Sequence, residues 1–209
     1  RLNVKELCYD TWRRRELYEF FSPMSNPFYS VTFNLDVTEL YDYVKSQGLS
    51  FYYALTYLVT KAVNSVEALR YAMHDGVPVL HDARRPSFTD LKPGADSFHI
   101  VTMAADGDIA DFCREAKRKS DEQTCFIDMT SESDDLIFIS CLPWIELTAF
   151  TNERNCEKDD AIPRITWGKY HNENGKKILG MSVELNHAFA DGKHVGDFAV
   201  ALRRLIESL

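Results

Sequence analysis

No apolar run in the 209 residues approaches the roughly 20 needed to cross a bilayer. With 45% hydrophobic and 27% charged residues, neither a membrane-integral nor a disordered chain is expected. Cysteine is scarce and unpatterned: Cys8, Cys113, Cys125, Cys141 and Cys156 are an odd set, never in C-x-x-C spacing. No disulfide framework follows, and inert, buried thiols in a reducing cytoplasm are the expectation. Cys113 and Cys141 lie inside apolar-periodic segments, where a thiol acts as a small hydrophobe. Positive charge is in deficit, Lys+Arg 24 against Asp+Glu 32 for a net charge of -8, the wrong sign for tracking a phosphate backbone, so no nucleic acid partner is expected. G-x-S-x-G, the Walker glycine loop and G-x-G-x-x-G are all missing, which removes the commonest serine-hydrolase and nucleotide-binding signatures. The chain starts at Arg1 without a signal-type apolar region, and secretion is not expected.

What is present suits a globular domain. A chain of this length buries roughly 70% of its unfolded surface, and one domain over residues 1–209 is expected, since no repeat or linker divides it. Tyr29, Val31, Phe33 and Leu35 alternate with polar residues as in a half-buried strand. Asp36 and Glu39 predict a capping box before a helix through Leu40 and Val44 up to Gly48. Ser50 predicts the cap of a second helix with a broad apolar face from Ala54 to Val66. Short strands are expected around Val79 and Phe88 and from Phe98 to Met103, and Asp108 opens a helix with a charged outer face. Leu136 to Cys141 reads as a central buried strand. Beyond Pro143 the residues Ile145, Leu147 and Ala149 alternate as a strand would, before a polar stretch from Thr151 to Pro163. Arg164–Tyr170 and Ile178–Leu185 flank Asn174-Gly175, a strong hairpin signal, and an amphipathic helix ends the chain. The mixture lacks regular β-α alternation, so the fold class is α+β, a large mixed sheet covered by helices.

The stretch Asn186 to Val195, NHAFADGKHV, is the richest in chemistry. A histidine at a strand exit, followed by Asp191 and a turn-permitting Gly192, can hold an imidazole in one orientation. On the residues alone three readings stay open: a structural histidine, a general base, and a zinc set of His187, Asp191 and His194, which the strand-to-helix junction disfavours.

The stretch resembles the H-H-A-x-x-D-G-x-H-V signature of the chloramphenicol acetyltransferases. The likeness extends along nearly the whole chain: Trp12-Arg13-Arg14-Arg15-Glu16 with Phe20 and Phe21, Phe51-Tyr52, Leu69-Arg70, Leu142-Pro143-Trp144 and Thr166-Trp167-Gly168-Lys169-Tyr170 fall in the family's order. The resemblance implies a CoA-dependent acyltransferase-like two-layer sandwich and a homotrimer with active sites between subunits. It also implies transfer of an acetyl group from acetyl-CoA, as co-substrate, to a small hydroxyl acceptor, with antibiotic resistance as a role. No metal and no covalent acyl-enzyme are implied. His187 matches the catalytic base, Asp191 and Arg14 a bracing ion pair, Thr166 a residue that stabilises the oxyanion through water, and Lys169 and Tyr170 contacts to the CoA phosphate and adenine.

Departures matter as much. The family's oxyanion serine falls on Ala149, and Thr148, one position off in a strand, would face the other way. Asn186 replaces the first histidine of the signature, Ser50 a frequent lysine near the CoA phosphate, and Phe21 a frequent tyrosine. Phe20, Phe21, Tyr29 and Phe126 are candidates for an aromatic acceptor pocket, beside the alternative of core packing. These changes leave two functions: an O-acetyltransferase acting on chloramphenicol or another hydroxyl, and a protein of the same fold that binds CoA or a small aromatic ligand with little or no catalysis.

Overall fold

Alternation along the strands sorts one sheet into two chemically different faces. The structure, a computed structural model, describes residues 3–209. In chain order its elements are β1 (Val4–Glu6), a 3-10 turn, α1 (Arg15–Phe21), β2 (Phe28–Asp36), α2 (Thr38–Gln47), α3 (Phe51–Asn64), β3 (Tyr71–His74), β4 (Val77–His81), β5 (Arg85–Asp90) and β6 (His99–Thr102). There follow α4 (Ile109–Glu122), β7 (Leu136–Leu142), β8 (Arg164–Gly168), β9 (His171–Glu173), β10 (Lys176–Asn186) and α5 (Gly192–Glu207). The large sheet runs β2-β10-β8-β7-β5-β6, with β9 paired to β10, and a small sheet runs β1-β4-β3. β7 is parallel to both β5 and β8 while the other pairs are antiparallel, so the sheet is mixed.

On the inner face Leu35, Ile137, Ile139, Ile165, Trp167, Leu179, Met181 and Val183 join the cores of α3, α4 and α5 in one apolar cluster. Each such side chain, fully buried, stabilises the fold by roughly 1.5–3 kcal/mol. The outer face carries Ser30, Thr32, Ser140, Thr166, Ser182, Glu184 and Asn186 at the intervening positions. Thr166, Ser182, Glu184 and Asn186 are nonetheless buried. The segment between β7 and β8 lies over part of that face: Arg154 donates to Glu184 (2.7 Å) and to Asp160 (2.8 Å), and stacks over the Phe28 ring.

Most expected elements are present, with three differences. Asp36 does not cap α2. It accepts from the backbone N–H and hydroxyl of Thr38 (3.0 and 2.7 Å), a local Asx turn, and the helix begins two residues later. Ser50 does cap α3, accepting from the Tyr53 N–H, and Asp108 caps α4 through Asp111. β1, β3 and β9 are strands of three or four residues that no periodicity announces. Finally, Ile145, Leu147 and Ala149 form no strand: residues 143–163 are irregular. What fixes that segment is a close approach at two glycines. A Cβ on Gly180 would sit 2.1 Å from the Leu147 carbonyl oxygen, and one on Gly168 2.6 Å from the Leu147 nitrogen. Leu147 is pressed onto the sheet between them, and the Lys169 N–H donates to the Ile145 carbonyl (2.7 Å).

Of the cysteines, Cys113 is buried and Cys141 half-buried, their thiols pushed up to about 11 and about 12 by burial. Cys8, Cys125 and Cys156 are exposed, so the expectation of buried thiols holds for the first two alone. Among the described residues no helix is long and apolar enough to cross a membrane.

Candidate active site

β10 ends at Asn186, and a tight turn delivers the chain to α5, whose N-cap is Asp191. His187 sits in that turn. Its N–H donates to the Pro27 carbonyl (2.9 Å), just ahead of β2, which pins the residue at the end of the β2–β10 ladder. Arg14, buried immediately before α1, binds the turn from the other side. Its guanidinium donates to both carboxylate oxygens of Asp191 (2.7 and 2.9 Å), to the His187 carbonyl (2.8 Å) and to the Ala188 carbonyl (3.2 Å). A planar, five-donor fork can meet all four acceptors at once, and an ammonium cannot. Asn186 donates to the carbonyls of Lys158 and Asp160 and accepts from the Ala188 N–H, tying the loop before β8 to the turn. The replaced signature residue is therefore a structural brace.

The imidazole lies edge-on between two aromatic rings, with centroids 3.9 Å from Phe21 and 4.7 Å from Tyr29. The Tyr29 hydroxyl donates to the Ala190 carbonyl. Nδ1 of His187 is sealed from solvent and has no hydrogen-bond partner among the described residues, which leaves Nε2 as the nitrogen able to meet a substrate. Burial lowers the pKa of His187 below its ordinary 6.5, opposed by the Asp191 charge and reinforced by Arg14, so the ring is neutral at pH 7. Hydrogen bonding to Arg14 likewise lowers the pKa of Asp191. The His187, Asp191 and His194 spacing serves a helix cap: His194 Nδ1 accepts from the Asp191 N–H (2.8 Å) while Arg14 occupies the carboxylate. These three form no metal-ligand cluster among the described residues.

A cavity of about 980 Å³ opens on the outer face of the sheet, lined by Ser87, Thr89, Ser140, Thr166, Phe98 and Trp144 among others. Its floor is rich in hydroxyls. Thr166 and Ser140 are register partners on β8 and β7, and their oxygens are 2.8 Å apart. Nothing local in the sequence marks Ser140, because only the parallel β7–β8 pairing, made across the irregular residues 143–163, sets it beside Thr166.

His187 does not line this cavity. Thr166 pairs with Ser182 on β10, five residues before His187, about 17 Å away at ~3.3 Å per strand residue. The aromatic candidates divide in the same way. Phe21 and Tyr29 flank the imidazole, and Phe20 is 66% exposed beside Phe21. Phe126 is 55% exposed and packs on Phe98 at the cavity mouth. The four thus do not form one pocket within a single chain. Ala149 is exposed in the irregular segment and does not line the cavity, whereas the next residue, Phe150, lines it and accepts from Ser182 through its carbonyl. With no strand there, Thr148 is also exposed, and the alternation argument that set it on an opposite face does not apply.

Beyond the end of β8, Lys169 is exposed and Tyr170 joins a cluster with Tyr41 (5.6 Å) and Phe51 (5.9 Å). Lys177 lies 4.4 Å above the Tyr41 ring and Lys45 5.4 Å from it. This local concentration of cations and aromatic faces, on a chain of net charge -8, was hidden in sequence, since its members come from α2, α3, β10 and the residues after β8.

A strand-end histidine braced by a buried arginine, on a mixed sheet whose other face holds a hydroxyl-lined cavity, has the architecture of a CoA-dependent acyltransferase. The dihydrolipoamide acetyltransferase of Azotobacter vinelandii superposes with a TM-score of 0.69 at 15% identity, covering 90% of this chain and 85% of that one. A chloramphenicol acetyltransferase structure superposes with a TM-score of 0.89 at 22% identity, over 97% and 99% of the two chains. In sequence, chloramphenicol acetyltransferase 3 of Escherichia coli is 29% identical over 212 residues, spanning 99% of each chain. The Proteus mirabilis chloramphenicol acetyltransferase is 27% identical over 94% of this chain and 91% of its own. The sequence profile of chloramphenicol acetyltransferase matches residues 2–203. The chain belongs to the chloramphenicol acetyltransferase family and is an acyltransferase of the acetyl-CoA-dependent, hydroxyl-acetylating kind.

Proposed function

We propose that this enzyme acetylates a small aromatic alcohol of the chloramphenicol type, with His187 as general base in a site shared between two subunits of a trimer. The observation that carries this reading is the division of the candidate residues: a neutral imidazole on one side of the chain, and a hydroxyl-floored cavity about 17 Å along β10 on the other. Two copies, each giving one half, complete the site that one copy lacks. Phe98, Phe126, Trp144 and Ile145, all at least half exposed near the cavity mouth, offer apolar surface for such an interface.

In the reaction, Nε2 of His187 takes the proton of the acceptor hydroxyl while its oxygen attacks the thioester carbon of acetyl-CoA. The carbonyl π electrons move to oxygen, giving a tetrahedral oxyanion. Thr166, with Ser140 behind it, donates toward that charge, directly or through water. Collapse re-forms the carbonyl and expels the CoA thiolate, which recovers the proton from the imidazolium. Arg14 and Asp191 hold the turn and exchange no proton. Lys169, Lys177, Tyr41 and Tyr170 receive the anionic, purine-bearing end of CoA. Because Ala149 provides no hydroxyl, one donor to the oxyanion is missing, a loss of about 10² to 10³ in rate where such donors have been removed. The enzyme is accordingly expected to be slow.

Turnover decides the matter. Acetyl-CoA and chloramphenicol are incubated with the wild type and with His187→Ala while free CoA thiol is followed. The variant should be slower by about 10² to 10⁴, and equal rates would remove His187 from the mechanism. Ligand binding by calorimetry with turnover at background would instead favour a non-catalytic binding protein, the reading that Ala149 and Ser50 support.

A further inference from the structure

Away from the acetyl-transfer residues, the two-residue turn Asp75-Gly76 folds β3 and β4 into a hairpin that carries one histidine on each strand. His74 ends β3, and His81 ends β4, where it pairs with Val4 of β1. Their ring centroids are 5.9 Å apart. Asp134, two residues before β7, reaches between them: Oδ2 is 2.6 Å from His74 Nε2 and Oδ1 is 3.3 Å from His81 Nε2. His81 is 1% exposed, and its Nε2 makes no hydrogen bond among the described residues, the Asp134 approach being misaligned for one. A polar ring nitrogen buried in that state is costly unless something else engages it.

We propose that His74, His81 and Asp134 bind a divalent transition metal of the zinc class. The donor set, two imidazoles and one carboxylate, is the one such ions take. With bonds of about 2.0–2.2 Å, the edges of a tetrahedral site are roughly 3.3–3.6 Å long. The three ligand atoms already lie within 4.8 Å of one another, and the His81–Asp134 separation of 3.3 Å matches an edge, while the 2.6 Å His74–Asp134 hydrogen bond must open to an edge as the ion replaces its proton. His74 and Asp134 are each about one-third exposed, leaving an approach for the ion and for a water in the fourth position.

The backbone around the cluster is held fast. Arg84, fully buried, donates to the carbonyls of Leu69, Tyr71, Asp134 and Leu136 (2.5–3.1 Å), joining the hairpin to the loop that bears Asp134. Arg70 donates to the His81 carbonyl (2.7 Å). These two cations repel a dication, and the negative charges of Asp134, Asp135 and Asp160, all of which act on Arg84, offset them. The bound ion would clip the β3–β4 hairpin to the start of β7.

The metal-stripped full-length protein is titrated with zinc chloride by calorimetry, and with cobalt(II) to read the visible bands of a tetrahedral site. One equivalent per chain is expected, together with a rise in melting temperature on zinc addition. His74→Ala and Asp134→Asn should each weaken zinc binding by at least about 100-fold and abolish the thermal shift. His187→Ala should bind zinc as the wild type does. His74 is partly exposed, so its variant is expected to fold, as circular dichroism will verify, and it decides the outcome should Asp134→Asn fail to fold. Absence of saturable binding, or one-equivalent binding that survives both substitutions, overturns the proposal whatever the acetyl-transfer assay gives.

Discussion

Arg14 illustrates how much one side chain can determine. Its four bonds hold the His187 turn, the first turn of α5 and the entry to α1 together. Truncation to Ala leaves Asp191 without its partner, a change expected to cost about 3 kcal/mol, the lower end for broken buried pairs because Asp191 is partly open to solvent. Arg14→Lys keeps the charge and loses the fork, so urea denaturation should show a smaller loss of stability while kcat/KM still falls as the imidazole drifts. At His187 the sign of the pH dependence follows from burial. The charged ring is disfavoured, its pKa lies below 6.5, and the proposed general-base role needs the neutral ring. The kcat/KM profile should thus fall toward acid pH with a midpoint below that of an ordinary histidine. A midpoint at or above 6.5 would contradict the desolvated ring. The stability contributed by Asp191 runs in the same direction: its lowered pKa favours the fold above the ordinary carboxylate range and is lost as pH falls through the native value.

At the scale of elements, the Leu147 segment depends on missing side chains beneath it. Gly180→Ala would drive a methyl into the Leu147 carbonyl. A destabilisation of about 1–3 kcal/mol is expected by thermal or urea unfolding, typical of overpacking, along with altered acceptor KM because the adjoining Phe150 lines the cavity. What could be read in the sequence follows from the kind of signal. β2, β7 and β10 announce themselves through long alternation or apolar runs, and α3 and α4 through Ser50 and Asp108. The false strand at Ile145, Leu147 and Ala149 came from three apolar residues in alternation, when only Leu147 is buried there. Its pinning partners lie 21 and 33 residues further along the chain, outside any local window. Asp75-Gly76 was as legible a hairpin signal as Asn174-Gly175, with positive φ at both residues in each pair. The strands that flank it are too short for their alternation to add to that signal.

For the whole molecule, the family signature singled out His187, Asp191, Arg14 and Thr166 as candidates, but no one-dimensional pattern could show that the imidazole and the threonine are separated within a chain. If two subunits share each site, His187→Ala and Thr166→Ala chains coexpressed in mixed trimers should regain activity that neither homotrimer has, with about a quarter of the interfaces intact for random mixing around a cyclic ring. Additive residual rates, or a monomer by analytical ultracentrifugation, would place the chemistry within one chain. A final consequence concerns β10. It pairs with β2 from Ile178 to Asn186 and with β8 from Met181 to Glu184, with Thr166 opposite Ser182 and the histidine just past the last rung, so on the proposed mechanism the strand is a measuring rod for the distance between the two halves of the chemistry. Adding or deleting one residue between Ser182 and Asn186 would reverse every side chain beyond it. Evolution can therefore alter length only at the other end, around the Asn174-Gly175 tip, where extra residues would extend into solvent without moving either half.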